Sequence, residues 1–180
     1  IRLKQNMPND EVILLERLDT LGKKILATGN GRCNLSNEHA KHYKEVINFF
    51  NNIGLKTKSD SEGRIYPYSN QAATVRDMLK KECIRLGVQI ITDCTVKSVD
   101  RDLIVSTDCG MFYADSVIIA AGGMAQSSLG SNGSGYEILK NLGHRITPLS
   151  PALVQLVSSS KYPRQLKGQR VKGNMNCLLY

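Results

Sequence analysis

The sequence predicts an α/β fold, and three observations carry that reading. Two runs, Val12-Ile-Leu-Leu15 and Val117-Ile-Ile-Ala-Ala121, are apolar without alternation, as in parallel strands covered on both faces. Two stretches between them repeat apolar residues at helical spacing. Glycines follow each run, at Gly22, Gly29 and Gly31 and again at Gly122 and Gly123, where the backbone can approach a ligand.

In chain order, residues 1–5 read as the end of a helix and Asn6-Met-Pro-Asn-Asp10 as a loop. Val12 to Leu15 is a buried strand closed by Glu16. Tyr43, Val46, Ile47, Phe50 and Ile53 form one helical stripe, with Gly54 as its stop. Asn70 caps a second helix whose stripe is Ala72, Val75, Leu79, Cys83 and Leu86, and Gly87 ends it. Val88-Gln-Ile-Ile91 and Thr95-Val-Lys-Ser-Val99 are a strand pair or one bent strand. Leu103-Ile-Val105 and Met111-Phe-Tyr113 flank the hairpin turn Asp108-Cys-Gly110. Val117 to Ala121 is a further apolar strand. Ser134-Gly-Tyr-Glu137 fits a capping box and opens a helix that Gly143 stops. Pro148 and Pro151 then break the pattern, and the remainder reads as extended and basic, with a strand at 153–157.

The composition is that of a globular chain: 41% hydrophobic and 22% charged residues exclude a disordered tail or a fibre. No apolar run approaches a membrane span, and no basic-then-apolar start reads as a signal peptide. The net charge is +8, distributed unevenly. Through Glu137 there are 17 basic and 16 acidic residues, and beyond it Lys140, Arg145, Lys161, Arg164, Lys167, Arg170 and Lys172 stand without an acid. A basic tail can bind nucleic acid, but only Tyr162 and Tyr180 are interleaved with it, so a solvated basic face is the stronger reading. The five cysteines are odd in number and never at Cys-x-x-Cys spacing, which argues against a disulfide framework and a zinc site and for a reducing, cytoplasmic compartment.

An apolar strand ending in an acid, as at Glu16, is where a dinucleotide-binding unit holds ribose, since a carboxylate accepts two hydroxyl hydrogen bonds. A solvated strand end explains a lone glutamate as well. The acid should follow a glycine-rich phosphate loop by about 20 residues, yet only 15 residues precede Glu16 and none is glycine. The expectation is that the sequence begins inside the first helix of the unit, without its first strand and phosphate loop. In Leu21-Gly-Lys-Lys-Ile-Leu-Ala-Thr-Gly-Asn-Gly-Arg-Cys-Asn34, Lys23, Lys24 and Arg32 offer charge to phosphate, although no Gly-Lys-Ser/Thr closes a P-loop. An ordinary turn-rich loop is the alternative.

Glu16 followed by Leu21 through Asn34 and Leu-Ser-Asn37 resembles the hallmark of a family of bacterial flavoproteins, the NAD(P)/FAD-dependent oxidoreductases of the aminoacetone-oxidase-like group. The resemblance continues through Gly63-Arg-Ile-Tyr-Pro67, Ser69-Asn70, Val117-Ile-Ile-Ala-Ala-Gly-Gly123, Gly130-Ser-Asn-Gly-Ser-Gly-Tyr136, Leu142-Gly-His144 and Pro151-Ala-Leu-Val154. It implies a Rossmann-like FAD domain of two-dinucleotide-binding type over residues 1–147 and the start of a second, β-rich domain over 148–180. Glu16 would hold the adenosine ribose. Gly22, Lys23, Lys24, Thr28, Gly29, Gly31, Arg32, Cys33 and Asn34 would run past the pyrophosphate and flavin. Val96 would meet adenine through its backbone, and Ala121, Gly122 and Gly123 would pass close to the dinucleotide. Gly133 lies in a block similar to the Thr-Gly-Asp-Gly block of fumarate-reductase-type flavoproteins, near the isoalloxazine; this chain departs there, with Asn132 and Ser134 where Thr and Asp are usual. The implied function is flavin-mediated two-electron redox of a small molecule, with NAD(P)H as candidate donor, and with this fragment itself inactive.

The other polar candidates have structural explanations. Cys33 has no partner thiol at redox spacing and reads as packing. His144 follows a helix-stop glycine, where a cation complements the dipole. His39 and His42 lack a third ligand, so no metal site is expected. Arg64 and Tyr66 face substrate by family analogy or belong to a surface hairpin. Two rival functions remain: a basic nucleic-acid-binding module, and a non-catalytic fragment that self-associates through exposed sheet edges.

Overall fold

The computed structural model describes residues 1–151 and 159–165. The chain divides into two compact units, Ile1–Thr147 and Pro148–Tyr180. In the second, the described element is a single helical turn, α5 (Tyr162–Gln165). The strand expected at 153–157 lies outside the described residues.

The first unit opens with α1 (Arg2–Asn6) and β1 (Ile13–Leu15). Tight 3₁₀ turns occupy Lys23–Gly31, followed by β2 (Ser36–Asn37), α2 (Tyr43–Asn52), β3 (Thr57–Ser59) and β4 (Arg64–Pro67). Then come α3 (Ala72–Arg85), β5 (Gln89–Ile91), β6 (Val96–Val99), β7 (Ile104–Thr107), β8 (Met111–Tyr113) and α4 (Ser134–Asn141). The architecture is α/β and Rossmann-like, with parallel and antiparallel pairs. β1 and β5 pair in parallel, Ile13 opposite Gln89 and Leu15 opposite Ile91. Parallel strands need a long crossover, and here it contains the antiparallel sheet β2-β4-β3 as well as α2 and α3. The third sheet is the antiparallel meander β6-β7-β8.

The helical stripes fold as their spacing requires. Tyr43, Val46, Ile47 and Phe50 turn inward on α2, while Ala72, Val75 and Cys83 are buried on α3. Gly54 and Gly87 end the two helices in the left-handed region, at φ 86° and 73°. After α3, the Val88 N–H returns to the Cys83 carbonyl at 3.0 Å. One core joins Cys33, Ile53, Leu55, Ala72 and Val75; the other joins Val99, Val105 and Ile138.

Four local expectations are corrected. Gln71, not Asn70, is the N-cap of α3; Asn70 itself takes a left-handed φ of 55°. Ser134 is the first residue of α4 rather than its cap, because Gly133 takes the cap position and Glu137 pairs with Lys140 at 2.8 Å. β1 is half-buried instead of covered, with Ile13 37% exposed. Residues 117–121 join none of the three sheets. Val117 and Ile119 pack onto Val99, Val105 and Ile138 while Ile118 stays 76% exposed, so an apolar run that reads as two-sided packs on one face. The parallel partner of β1 is therefore β5 and not this run.

A charge pair lies within α3. Glu82 is buried and receives Arg85 through two bonds of 2.7 Å. The Arg85 hydrogen bond holds the Glu82 carboxyl below its ordinary value, against the opposing effect of burial. A carboxyl depressed in the folded state stabilises the fold above its unfolded pKa and ceases to do so as pH falls through the folded one. Glu82→Gln should therefore destabilise the chain by about 1 kcal/mol at neutral pH, with the deficit shrinking as pH falls below about 4. Chemical denaturation of both proteins at pH 7 and pH 3 checks this; a deficit of equal size at both would assign the effect to packing.

Candidate functional site

β1 delivers Glu16 to the carboxyl end of a parallel strand, and the backbone there is fixed on both sides. Its N–H donates to the Ile91 carbonyl at 2.9 Å, and its own carbonyl accepts the Cys94 N–H at 3.0 Å. The carboxylate Oε1 accepts the Leu18 N–H at 2.9 Å, which orients the half-buried side chain. Adjacent in the fold is β6 with Val96, opposite Thr107 at a register shift.

The glycine segments converge beside this strand end. Gly22 begins the 3₁₀ turns at φ 67°, and a Cβ there would meet Arg76 Cγ and Ile25 Cδ1 at 3.2 Å. From the next turn, Lys24 Nζ donates to Ser131 Oγ at 2.9 Å, across 107 residues of sequence. A Cβ on Gly122 would come within 3.2 Å of the same Ser131 hydroxyl, and one on Gly130 within 3.4 Å of Leu18. The Gly133 N–H donates to the Gly123 carbonyl at 3.1 Å, and Gly135 packs against Ala121. Thus Lys24, Ala121, Gly122, Gly123 and Gly133 come together with the segment that follows Glu16.

The three predicted cations separate. Lys23 lies 3.8 Å from Asp19. Arg32 turns away to stack on Tyr66, 4.3 Å from the ring centroid, and donates to its hydroxyl at 3.3 Å. Thr28 caps its own turn by donating to the Ile25 carbonyl at 2.6 Å. Gly29, Gly31 and Cys33 all adopt positive φ, the Cys33 N–H returns to the Thr28 carbonyl at 3.0 Å, and Asn34 packs against Gly29. Cys33 is buried in the core with Val75 and Leu55. Arg64 is occupied by Asp60 at 2.8 Å and Glu62 at 2.9 Å. Burial opposes ionisation of Asp60, but the Arg64 hydrogen bond and two backbone N–H groups outweigh it and keep the carboxyl low. His42 pairs with Glu45 at 2.7 Å. His144 lines a shallow apolar groove of about 420 Å³ with Val99, Leu103, Ile118, Leu139 and Leu142, none of them a predicted cofactor residue.

Sequence reasoning missed two features. Ser131 is a buried hydroxyl at the junction of the loops; its signal lay in the block from Gly130 to Tyr136, where attention fell on Asn132 and Ser134. The expectation of no disulfide is also overturned: Cys94 and Cys109 are bonded. The turn between β7 and β8 folds its tip back to the β5–β6 connection, a proximity that cysteine counting does not reveal. Asp108 lies beside both sulfurs, but sulfurs bonded to each other are not thiolate ligands for a metal. The bond also removes the cysteine-count argument for a reducing compartment.

The chain matches the HI0933-like protein Rossmann domain over residues 41–168. It belongs to the HI0933-like family. Among curated proteins, it is 41% identical to a 3-dehydro-bile acid delta(4,6)-reductase of Clostridium scindens, over 94% of this chain and 46% of that protein. It is 25% identical to a ribosomal RNA dihydrouridine synthase of Escherichia coli, over 79% of this chain and 41% of that protein. A synthase of the same name from Haemophilus influenzae is 24% identical, over 74% and 40% of the two chains. The chain spans less than half the length of these relatives. Membership of the HI0933-like family, one of FAD-binding oxidoreductases, supports a redox role. Among the described residues, no helix is long and apolar enough to cross a membrane.

Proposed function

We propose that this chain forms part of the FAD-binding domain of a flavin-dependent oxidoreductase of the aminoacetone-oxidase-like group, acting on a small molecule with NAD(P)H as donor. The observation that carries the proposal is Glu16: a carboxylate at the end of a parallel strand, its backbone pinned by Ile91 and Cys94, beside converging glycine segments. The fit to a dinucleotide is uneven. The adenosine end has its ribose acceptor in Glu16 and an adjoining backbone at Val96. Gly122 leaves open a space beside Lys24 and Ser131 that a side chain would fill. The pyrophosphate end has cationic side chains, but the 180 residues contain no Gly-x-Gly-x-x-Gly.

When bound, the flavin supplies the two-electron chemistry. The chain's own residues bind and orient it: Glu16 holds the ribose hydroxyls, Lys24 faces phosphate, and the backbone at Ala121, Gly122, Gly123 and Gly133 lies along the dinucleotide. Gly22, Lys23, Thr28, Gly29, Gly31, Arg32, Cys33 and Asn34 complete the proposed cofactor set, with Cys33, inside the core, acting through packing. Residues 1–147 make the partial FAD domain and 148–180 the start of a second domain. A cytoplasmic setting belongs to the proposal, and the isolated chain is expected to be inactive.

The relatives' names favour a reductase acting on a small molecule, because the identity to the bile-acid reductase, 41%, exceeds the 25% and 24% to the two dihydrouridine synthases. A nucleic-acid substrate is the second reading, resting on the basic tail and the two dihydrouridine synthases. Self-association through β1, paired among the described residues on one side only, by β5, is a further alternative.

Glu16→Ala tests the reading. In a protein with the complete cofactor site, FAD affinity should fall by about 1.5–3 kcal/mol, the range for hydrogen bonds to a charged group. Isothermal titration with FAD measures it. Unchanged affinity would leave Glu16 as a solvated strand end.

A further inference from the structure

Cys94 lies between β5 and β6, is only 1% exposed, and is bonded to Cys109, an exposed residue of the β7–β8 turn. The same two segments are joined twice more. The Asp108 carboxylate accepts the Thr95 N–H at 2.7 Å, and the Asp108 N–H donates to the Thr95 carbonyl at 3.1 Å. On its other side, the Cys94 N–H donates to the Glu16 carbonyl at 3.0 Å, and the Asp93 N–H to the Leu18 carbonyl at 3.1 Å. Cys94 therefore connects an exposed hairpin tip to the backbone that carries Glu16.

We propose that the Cys94–Cys109 disulfide is a redox latch that orders the Glu16–Leu18 segment. The asymmetry of exposure gives the latch a direction of opening. A dithiol reductant reaches the exposed sulfur, and its thiolate attacks Cys109 Sγ. The S–S bond breaks, Cys94 leaves as thiolate and takes up a proton, and a mixed disulfide forms at Cys109. The reductant's second thiolate then attacks its own sulfur of the mixed disulfide and releases Cys109. Two electrons and two protons pass to the protein, and the reductant ends as a cyclic disulfide. A low-molecular-weight disulfide reverses the reaction. In the dithiol form, the hairpin tip keeps only the Asp108 hydrogen bonds to residue 95, beside the Val96–Thr107 pairing of β6 and β7, and the Asp108 carboxylate is exposed to water. Closed, the latch keeps Cys94 in place to receive Glu16 and so fixes the strand end. The latch rests on these backbone contacts, whereas its consequence for cofactor binding rests on the proposed role of Glu16.

Amide hydrogen exchange on the purified chain, oxidised and then reduced with dithiothreitol, tests the proposal. Reduction should speed exchange at Leu18, Cys94 and Thr95 at least tenfold and leave the middle of α3 unchanged. Cys109→Ser, at an exposed position, should show the fast exchange without reductant and no further response to it. Unchanged protection on reduction overturns the latch, as does a peptide map in which oxidised glutathione fails to link Cys94 to Cys109. FAD titration of the two redox forms reads the consequence, with affinity at least tenfold lower in the dithiol form. Equal affinity, in a protein whose Glu16→Ala variant binds FAD more weakly, overturns the link to the cofactor. Loss of any Glu16 effect sinks the cofactor reading instead, and exchange still decides the latch.

Discussion

Incubated with FAD and passed through gel filtration at high salt, the 180-residue chain is expected to emerge without flavin. A pyrophosphate in such a fold is anchored mainly by oriented backbone N–H groups at a glycine-rich turn and the helix N-terminus behind it. The sequence of this chain contains no such turn. What it offers instead is side-chain charge, and the structure divides even that: Lys24 bonds to Ser131, Lys23 lies near Asp19, and Arg32 stacks on Tyr66. Exposed charges act over about 10 Å at 0.1 M salt and about 3 Å at 1 M, so attraction by lysines fades as salt rises. The visible absorbance of the eluted protein reports the outcome. A co-eluting flavin near one equivalent at high salt would mean that the glycine loops present suffice.

Gly29→Ala should be among the most damaging single substitutions in the first unit. Gly29 adopts φ 54°, and a Cβ there would lie 2.6 Å from the Asn34 backbone nitrogen. The left-handed conformation costs an alanine about 1–2 kcal/mol, and overpacking adds about 1–3 kcal/mol. The obstructing atom is backbone, so relief requires moving Cys33 and Leu35, which pack into the core. Gly31→Ala is the control: its φ is 81°, and nothing lies within 4 Å of its Cβ position. It should lose only the conformational term. Denaturation midpoints of the two variants measure the difference, and equal losses would remove the steric argument.

The helices were legible because their information is local. Stripes at 43–53 and 72–86, each closed by glycine, fix where α2 and α3 begin to bury side chains and where they stop. The β7–β8 hairpin was legible for the same reason, since Asp108-Cys-Gly110 marks the turn. Caps were less so. The side chains of Asn70 and Ser134 suit capping, but the backbone places Gln71 and Gly133 in those positions. The run at 117–121 misled because continuous apolarity does not say which face is covered; Ile118 is exposed, although Val117 and Ile119 beside it pack inward. At the candidate site, the glycines were visible as residue types, whereas the destinations of the charged chains were not. Nothing local tells Lys24 to reach Ser131 or Arg32 to reach Tyr66, and the Cys94–Cys109 bond depends equally on tertiary approach.

The central claim is that Glu16 and the Val96 backbone receive the adenosine half of a dinucleotide. Equilibrium dialysis of this chain at low salt against FAD and against FMN, which lacks that half, tests it most directly. The account predicts weak binding in which FAD exceeds FMN by at least tenfold, the range for losing one charge-assisted contact, with the preference abolished by Glu16→Ala. Equal affinity for the two flavins, or a preference that survives Glu16→Ala, would contradict it.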